Sequence, residues 1–303
     1  MKVLITGATG LIGSKLAKDC MDEGMTVHYL TTSKEKIKNE PSYKGFYWDP
    51  SKSILDNKCF EGVTVIINLV GATISKRWTK SYKKEILESR TQTANLLYQT
   101  LLSNGHDVKH FISASGVSIY PNSKTKLYTE ESQEVDDTFL AEVVVAWEAA
   151  ADQFKNLGME VTKIRTGVVL AKEDGALPKL VEPIQANIGA PLGSGKQWQS
   201  WIHLEDICNI YLYVLNNTIE GTINAVAPTP VTNKKMTQEI ARILDKSLWL
   251  PNIPGFILKI ALGEMSVLVL EGQLVSSRKI EKLGFIFRHS NIESALRDLL
   301  PLK

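Results

Sequence analysis

The residues with the clearest chemistry come first in the chain. Thr6-Gly7-Ala8-Thr9-Gly10-Leu11-Ile12-Gly13 follows the apolar run Val3-Leu4-Ile5. A strand that runs into glycines at this spacing, and then into an amphipathic stretch, forms a turn that accepts a pyrophosphate. The first glycine allows the tight bend. The second lets phosphate oxygens approach the backbone, and the third packs the helix against the strand. The start of the helix adds free N–H groups and the positive end of the peptide dipoles. The competing reading is a glycine-rich turn that binds nothing, but the strand before it and the helix after it are the context the motif requires. The expected contacts are Gly7, Thr9, Gly10, Leu11, Ile12 and Gly13.

The choice of dinucleotide depends on the end of the second strand. An NAD-binding turn usually carries an acid there, about 20 residues past the glycines, to hold the ribose hydroxyls. This chain reads Thr31-Thr32-Ser33-Lys34 instead. Hydroxyls and a lysine suit a 2′-phosphate, so NADP is favoured and NAD stays open. Lys34 as a solvated loop charge is the other reading.

These residues need a scaffold that alternates strands and helices. Residues 2–6 read as a buried strand, 11–24 as a helix with Gly24 as its C-cap, and 26–30 as a second strand. Residues 63–70 form a continuous apolar run, the mark of a parallel strand covered on both faces. A helix over 80–104, a strand over 109–113, a helix over 136–156 and a strand over 160–165 continue the alternation. The fold class expected is α/β, a Rossmann-type doubly wound parallel sheet with right-handed crossovers. Residues 171–203 are rich in Gly and Pro and, with 224–248, supply a small substrate-side lobe. The expected division is a dinucleotide-binding domain over 1–248 and a C-terminal helical extension over 249–303.

Composition removes several alternatives. Lys plus Arg number 35 and Asp plus Glu 33, so a net charge of +2 gives no reason to expect nucleic acid or an anionic membrane as partner. The three cysteines, Cys20, Cys59 and Cys208, are odd in number and far apart. That argues for reduced, buried thiols and a cytoplasmic setting rather than a disulfide scaffold. No signal peptide or membrane span is expected, because the apolar run over 253–274 is interrupted by Lys259, Glu264 and Glu271. No residue cluster has metal spacing. His203 and Asp206, three apart, read as helix-start caps or a pair.

Further segments match one known family. Asn68-Leu69-Val70-Gly71-Ala72, Ser113-Ala114-Ser115 and Trp201-Ile202-His203-Leu204-Glu205-Asp206 resemble motifs of the extended short-chain dehydrogenases. A closer resemblance is to the atypical NAD(P)-dependent epimerase family, nucleoside-diphosphate-sugar epimerase-like and sometimes described as cell-division inhibitors. Trp48-Asp49-Pro50, Ser89-Arg90, Ala146-Trp147-Glu148-Ala149-Ala150, Arg165-Thr166-Gly167-Val168-Val169-Leu170 and Pro191-Leu192-Gly193-Ser194-Gly195 carry it. The resemblance implies cofactor contacts at Thr31, Thr32, Ser33, Lys34, Asp49, Leu69, Val70, Gly71, Ala72, Ser113, Arg165 and Val168. The family's usual Arg after the second strand is replaced by Thr32.

Short-chain dehydrogenases move a proton with Tyr, tune it with a Lys one helical turn on, and fix the substrate oxygen with Ser. Ser115 matches the Ser, whereas the Tyr and Lys positions on the 136–156 helix correspond to Leu140 and Val144. Tyr120-Pro121-Asn122-Ser123-Lys124 has the right spacing in a loop-like stretch and reads as coincidence, although Tyr120 itself remains a candidate facing the nicotinamide. The catalytic candidates are therefore Ser115 and Tyr120. Arg90 either clamps a carboxylate or phosphate or forms a surface ion pair. Glu142 is a substitute acid or a solvated helix residue, and Trp201 is pocket wall or core. The function implied is an NAD(P)-dependent oxidoreductase or epimerase acting on a small or nucleotide-sugar-like molecule, as a monomer or homodimer. The alternative is a catalytically impaired NADP(H)-binding sensor or regulatory protein.

Overall fold

β-branched runs and amphipathic stretches fold, in a computed structural model describing residues 1–301, into one large parallel sheet with helices on both faces. Its principal strands are β1 (Lys2–Thr6), β2 (Thr26–Thr31), β3 (Tyr43–Asp49), β4 (Val65–Asn68), β5 (His110–Gly116), β6 (Glu160–Thr166) and, further on, β9 (Gly221–Ala225). Between the last two lie the short β7 (Val168–Leu170) and β8 (Trp201–His203), which pair with each other in parallel. The spatial order is β3-β2-β1-β4-β5-β6-β9, all parallel. The chain winds one way from β1 to β3 and the other way from β4 onward, so a crevice opens outside the strand ends between β1 and β4. Thr6 pairs with Leu30 on one side and Asn68 on the other, which brings the three following loops to one edge.

The core follows from period-two alternation in these strands. Val3 and Ile5 of β1 point to one face, where they pack with α1 (Leu11–Asp22) and α5 (Leu204–Asn217). Leu4 points to the other, toward α2 (Lys80–Asn104) and α3 (Phe139–Asp152). Gly24, at φ +77°, ends the first helix in the left-handed region, and the Met25 N–H then reaches the Cys20 carbonyl at 2.9 Å. All three cysteines are buried and free. Among the described residues, no helix is long and apolar enough to cross a membrane.

Downstream lie α4 (Leu177–Gln185), α6 (Asn233–Ile243), α7 (Gly255–Leu262), α8 (Val267–Leu270), α9 (Arg278–Lys282) and α10 (Ile292–Leu299). The segment from 249 is woven into the rest. Leu274–Val275 pairs in parallel with Leu127–Tyr128, Ile280 and Phe285 enter the core beside α5, and Ile292 and Leu296 of α10 pack against Met236 and Ile240 of α6.

Candidate cofactor cleft and adjoining cavity

The turn from β1 into α1 is shaped around its glycines. Gly7 has φ +71°, the left-handed region that disfavours side chains. A Cβ on Gly13 would stand 2.2 Å from the Gly7 carbonyl oxygen, so no other residue lets α1 pack this close to β1. Gly10 is the N-cap of α1 and supplies no side-chain cap, and the first turn contains no acid. The first-turn amides therefore face the crevice with their dipole uncompensated, which fits a diphosphate.

The turn after β4 is tied to the same edge. The Thr6 hydroxyl accepts the N–H groups of Leu69 and Val70 at 3.1 and 3.3 Å and donates to Asn68 Oδ1 at 2.7 Å. The Ala72 peptide is held at both ends by the Ser89-Arg90 pair of α2. Ser89 Oγ accepts its N–H at 2.9 Å, and the Arg90 guanidinium donates to its carbonyl at 3.2 Å. Arg90 is thus no surface ion pair: it is buried, stacks over the Trp147 ring at 4.8 Å and donates to the Ile86 carbonyl at 2.8 Å.

A cavity of about 760 Å³ adjoins this edge. Its floor is made by the ends of β5 and β6, with Ser115, Gly116, Thr166 and Gly167, and one wall by α3, with Leu140, Val144 and Trp147. Leu140 and Val144 line it, so two apolar side chains occupy the wall where the family's Tyr and Lys are expected. The opposite wall comes from the C-terminal segment, through Leu262, Met265, Val267 and Leu268. Sequence patterning gave no sign of that wall, because its residues come from three short consecutive helical pieces, Gly255–Leu262, Gly263–Ser266 and Val267–Leu270, too short for a directional stripe to register.

Under the floor lies a buried ionic network that sequence reasoning missed. Glu148, on the inward face of α3, accepts Ser115 Oγ at 2.6 Å and two Arg165 N–H bonds at 2.7 and 2.9 Å. Lys163 stands 3.7 Å behind it. Burial would raise the Glu148 carboxyl, but Arg165, Ser115 and Lys163 together hold it below the ordinary carboxylate range. The signal was available: an acid one turn past Val144 on a helix face of Val, Trp and Ala, opposite two cations at alternate positions of β6. The consequence for Ser115 is specific. Its one proton is committed to Glu148, so it presents lone pairs to the cavity.

Several expected site residues lie elsewhere. Tyr120 is fully buried and away from the cavity; its hydroxyl accepts Arg165 at 2.8 Å and donates to Asn224 at 2.9 Å. The Arg165 guanidinium is engaged with Glu148 and Tyr120. Glu142 points to solvent on the outer side of α3, and Trp201 is fully buried core whose Nε1 donates to the Thr229 carbonyl. Ser113 is buried in β5, whereas Val168 borders the cavity. At the far end of the crevice, Thr31 is buried, Thr32 and Lys34 are exposed, and the Lys34 ammonium lies over the Tyr47 ring at 5.1 Å. Asp49 ends β3 nearby, its carboxyl lowered by Ser51 and Lys52.

His203, Glu205 and His289 bring potential metal-ligand atoms within 4.8 Å of one another, a grouping that sequence spacing could not reveal because His289 arrives from the C-terminal segment. Their bonding is that of a clasp. His203 Nδ1 accepts the Glu205 N–H at 3.1 Å, which caps α5 and leaves the neutral ring's proton on Nε2, toward Asp298 at 3.2 Å. A protonated Nε2 has no lone pair for a metal. Asp206 accepts the backbone N–H groups of Arg288 and His289 at 2.8 and 2.9 Å, fastening the C-terminal segment to α5.

The geometry agrees with a family match. The model for the NAD dependent epimerase/dehydratase family covers residues 3–226. This chain belongs to that family. A domain of unknown function, DUF1731, matches residues 253–299, the segment that supplies the apolar cavity wall. An epimerase family protein of Staphylococcus aureus is 36% identical over 300 residues, 98% of each chain. The chloroplastic SDR39U1 homolog of Arabidopsis thaliana is 37% identical over 307 residues, covering 99% of this chain and 87% of the relative. Among solved structures, the human epimerase family protein SDR39U1 with NADPH superposes with a TM-score of 0.84 at 29% identity, covering 99% of both chains. Fold and family are as the sequence implied, and the epimerase fold here is NAD(P)-dependent as a class.

Proposed function

We propose that this epimerase-family chain binds NADP(H) along the Gly7–Gly13 turn and transfers hydride to or from a small organic molecule in the adjoining cavity. The observation that carries the reading is the continuity of the two parts: the open first turn of α1, the Ala72 turn and the cavity share one edge of the sheet. Preference for NADP over NAD rests on the absence of an acid after β2, on Lys34, and on the NADPH bound by the human relative. The cofactor supplies the hydride chemistry when bound. The protein's part is to hold the diphosphate on backbone amides, to exclude water with the C-terminal wall, and to orient the substrate from Ser115 and Arg90. Ser115, whose proton is held by Glu148, accepts a hydrogen bond from a substrate hydroxyl, and reduction of a carbonyl would take the matching proton from solvent.

A second reading has its own observation. With Leu140 and Val144 on the wall and the Ser115 proton held by Glu148, the usual proton donor to a substrate oxygen is missing. That favours an NADP(H)-binding sensor or regulator without turnover. Deuterium-labelled NADPH, incubated with the protein and a panel of carbonyl compounds, separates the two. Label appearing in a product supports the oxidoreductase; saturable NADPH binding with no label transfer across the panel supports the sensor.

A further inference from the structure

Arg90 is a buried cation without a counter-ion. It is 9% exposed and borders the cavity beside Thr73 and Ile74. Its hydrogen bonds go only to the Ala72 and Ile86 carbonyls, and its Nε is buried with no partner. Among the described residues no carboxylate pairs with it. A charge removed from water is costly unless an opposite charge meets it, and burial lowers the Arg90 pKa to about 10. The surroundings are nonetheless fitted to the guanidinium. Trp147 lies under it, and a Cβ on Gly71 would stand 2.8 Å from its Cζ.

The rest of the cavity narrows what could neutralise it. The walls are apolar, with Ile74, Leu140, Val144, Leu262, Met265 and Leu268. The other charged lining residues are three acids, Asp136, Asp174 and Glu271, against one lysine, Lys179, which is exposed. A nucleoside diphosphate would bring several negative charges past those acids to a single buried cation. A carboxylate brings one charge, and after the bonds to Ala72 and Ile86 one Nη2 N–H of Arg90 remains to donate to a carboxylate oxygen.

Resting on the cofactor reading above, we propose that Arg90 receives the carboxylate of a small organic acid with an apolar body, so that the substrate class is a monocarboxylic acid and not a nucleoside-diphosphate sugar. The guanidinium anchors the acid group, and the apolar walls contributed by α3 and the C-terminal segment enclose the remainder.

Calorimetric titration of the full chain, with and without NADP⁺, tests this using hexanoate, the neutral hexanol and UDP as probes. Hexanoate is expected to bind at least about tenfold more tightly than hexanol, and UDP, compared only with saturating NADP⁺ present so that the diphosphate-binding turn is occupied, to bind more weakly than either. In Arg90→Gln the advantage of hexanoate over hexanol disappears. Gly71→Ala keeps the cation but displaces it, and reduces the same ratio, so the inference stays testable if Arg90→Gln fails to fold. Equal binding of hexanoate and hexanol, no saturable hexanoate binding, or tighter binding of UDP than of hexanoate overturns the inference. NADP⁺ titrated into the same preparation separates the two readings: if NADP⁺ binds and hexanoate shows no advantage, the acid site alone falls; if NADP⁺ does not bind, the cofactor reading falls.

Discussion

The two ends of the cleft are built in different ways. At the β1–α1 end the surface offered is backbone: the first turn of α1 has no side-chain cap, Gly7 sits at φ +71°, and a Cβ on Gly13 would meet the Gly7 carbonyl oxygen at 2.2 Å. At the α3 end the surface offered is side chains, and those of α3 are apolar. Leu140 and Val144 stand on the wall at the positions where the family resemblance implies a Tyr–Lys relay, and Glu148 below them holds the Ser115 proton. A backbone-made site tolerates little variation without losing the helix–strand packing, whereas a side-chain-made site can be rewritten while the fold stays the same. On the proposed reading, cofactor binding and proton transfer are separable properties of this fold.

The sharpest way to break the comparison is to restore the relay. The double variant Leu140→Tyr with Val144→Lys should raise carbonyl turnover by about 10²–10⁴-fold, the usual worth of a positioned general acid. The measurement is NADPH oxidation across a carbonyl panel; no gain would mean that α3 does not face the reacting atoms. Glu148→Ala should cost about 3–5 kcal/mol of stability, since it leaves Arg165 buried and unpaired, as read by urea unfolding. The pH sign follows from the lowered carboxyl. Its contribution is complete above the unfolded value near ~4.3 and fades as pH falls through the lower folded value, so Glu148→Gln should flatten the acid limb of the stability profile.

Gly13→Ala tests the other end. Its Cβ must displace backbone, so α1 moves off β1. A loss of about 1–3 kcal/mol in stability is expected, together with loss of NADPH binding. Tyr120→Phe removes a hydroxyl that serves Arg165 and Asn224 and no substrate. It should lower stability by about 1 kcal/mol and leave the NADPH affinity unchanged in the same titration. The smallest effect belongs to exposed Lys34: Lys34→Ala should weaken NADPH by roughly three- to tenfold, more at low salt, with NADH unaffected.

Much of this was legible in the sequence, for a physical reason. The glycine turn, the apolar strands and the Lys80–Asn104 helix are local patterns, and local periodicity reports them directly. β3 was harder to see, because Lys44 and Gly45 interrupt its apolar run. The glycine turn, the cavity position of Ser115 and the apolar character of Leu140 and Val144 on α3 could be read from the sequence. Burial and pairing were not. Arg165, Tyr120 and Trp201 carry suitable chemistry, yet their side chains face Glu148, Asn224 and the core, and the direction of a side chain depends on partners distant in the chain. The same holds for the C-terminal wall of the cavity and for the His203–His289 contact, where the ring centroids are 3.9 Å apart.

The account depends first on the amides at the start of α1. Calorimetric titration of the purified chain with NADPH and NADH reads them most directly. Saturable binding of one NADPH per chain, tighter than NADH and abolished in Gly13→Ala, is the result expected. Absence of saturable binding by either dinucleotide would contradict it.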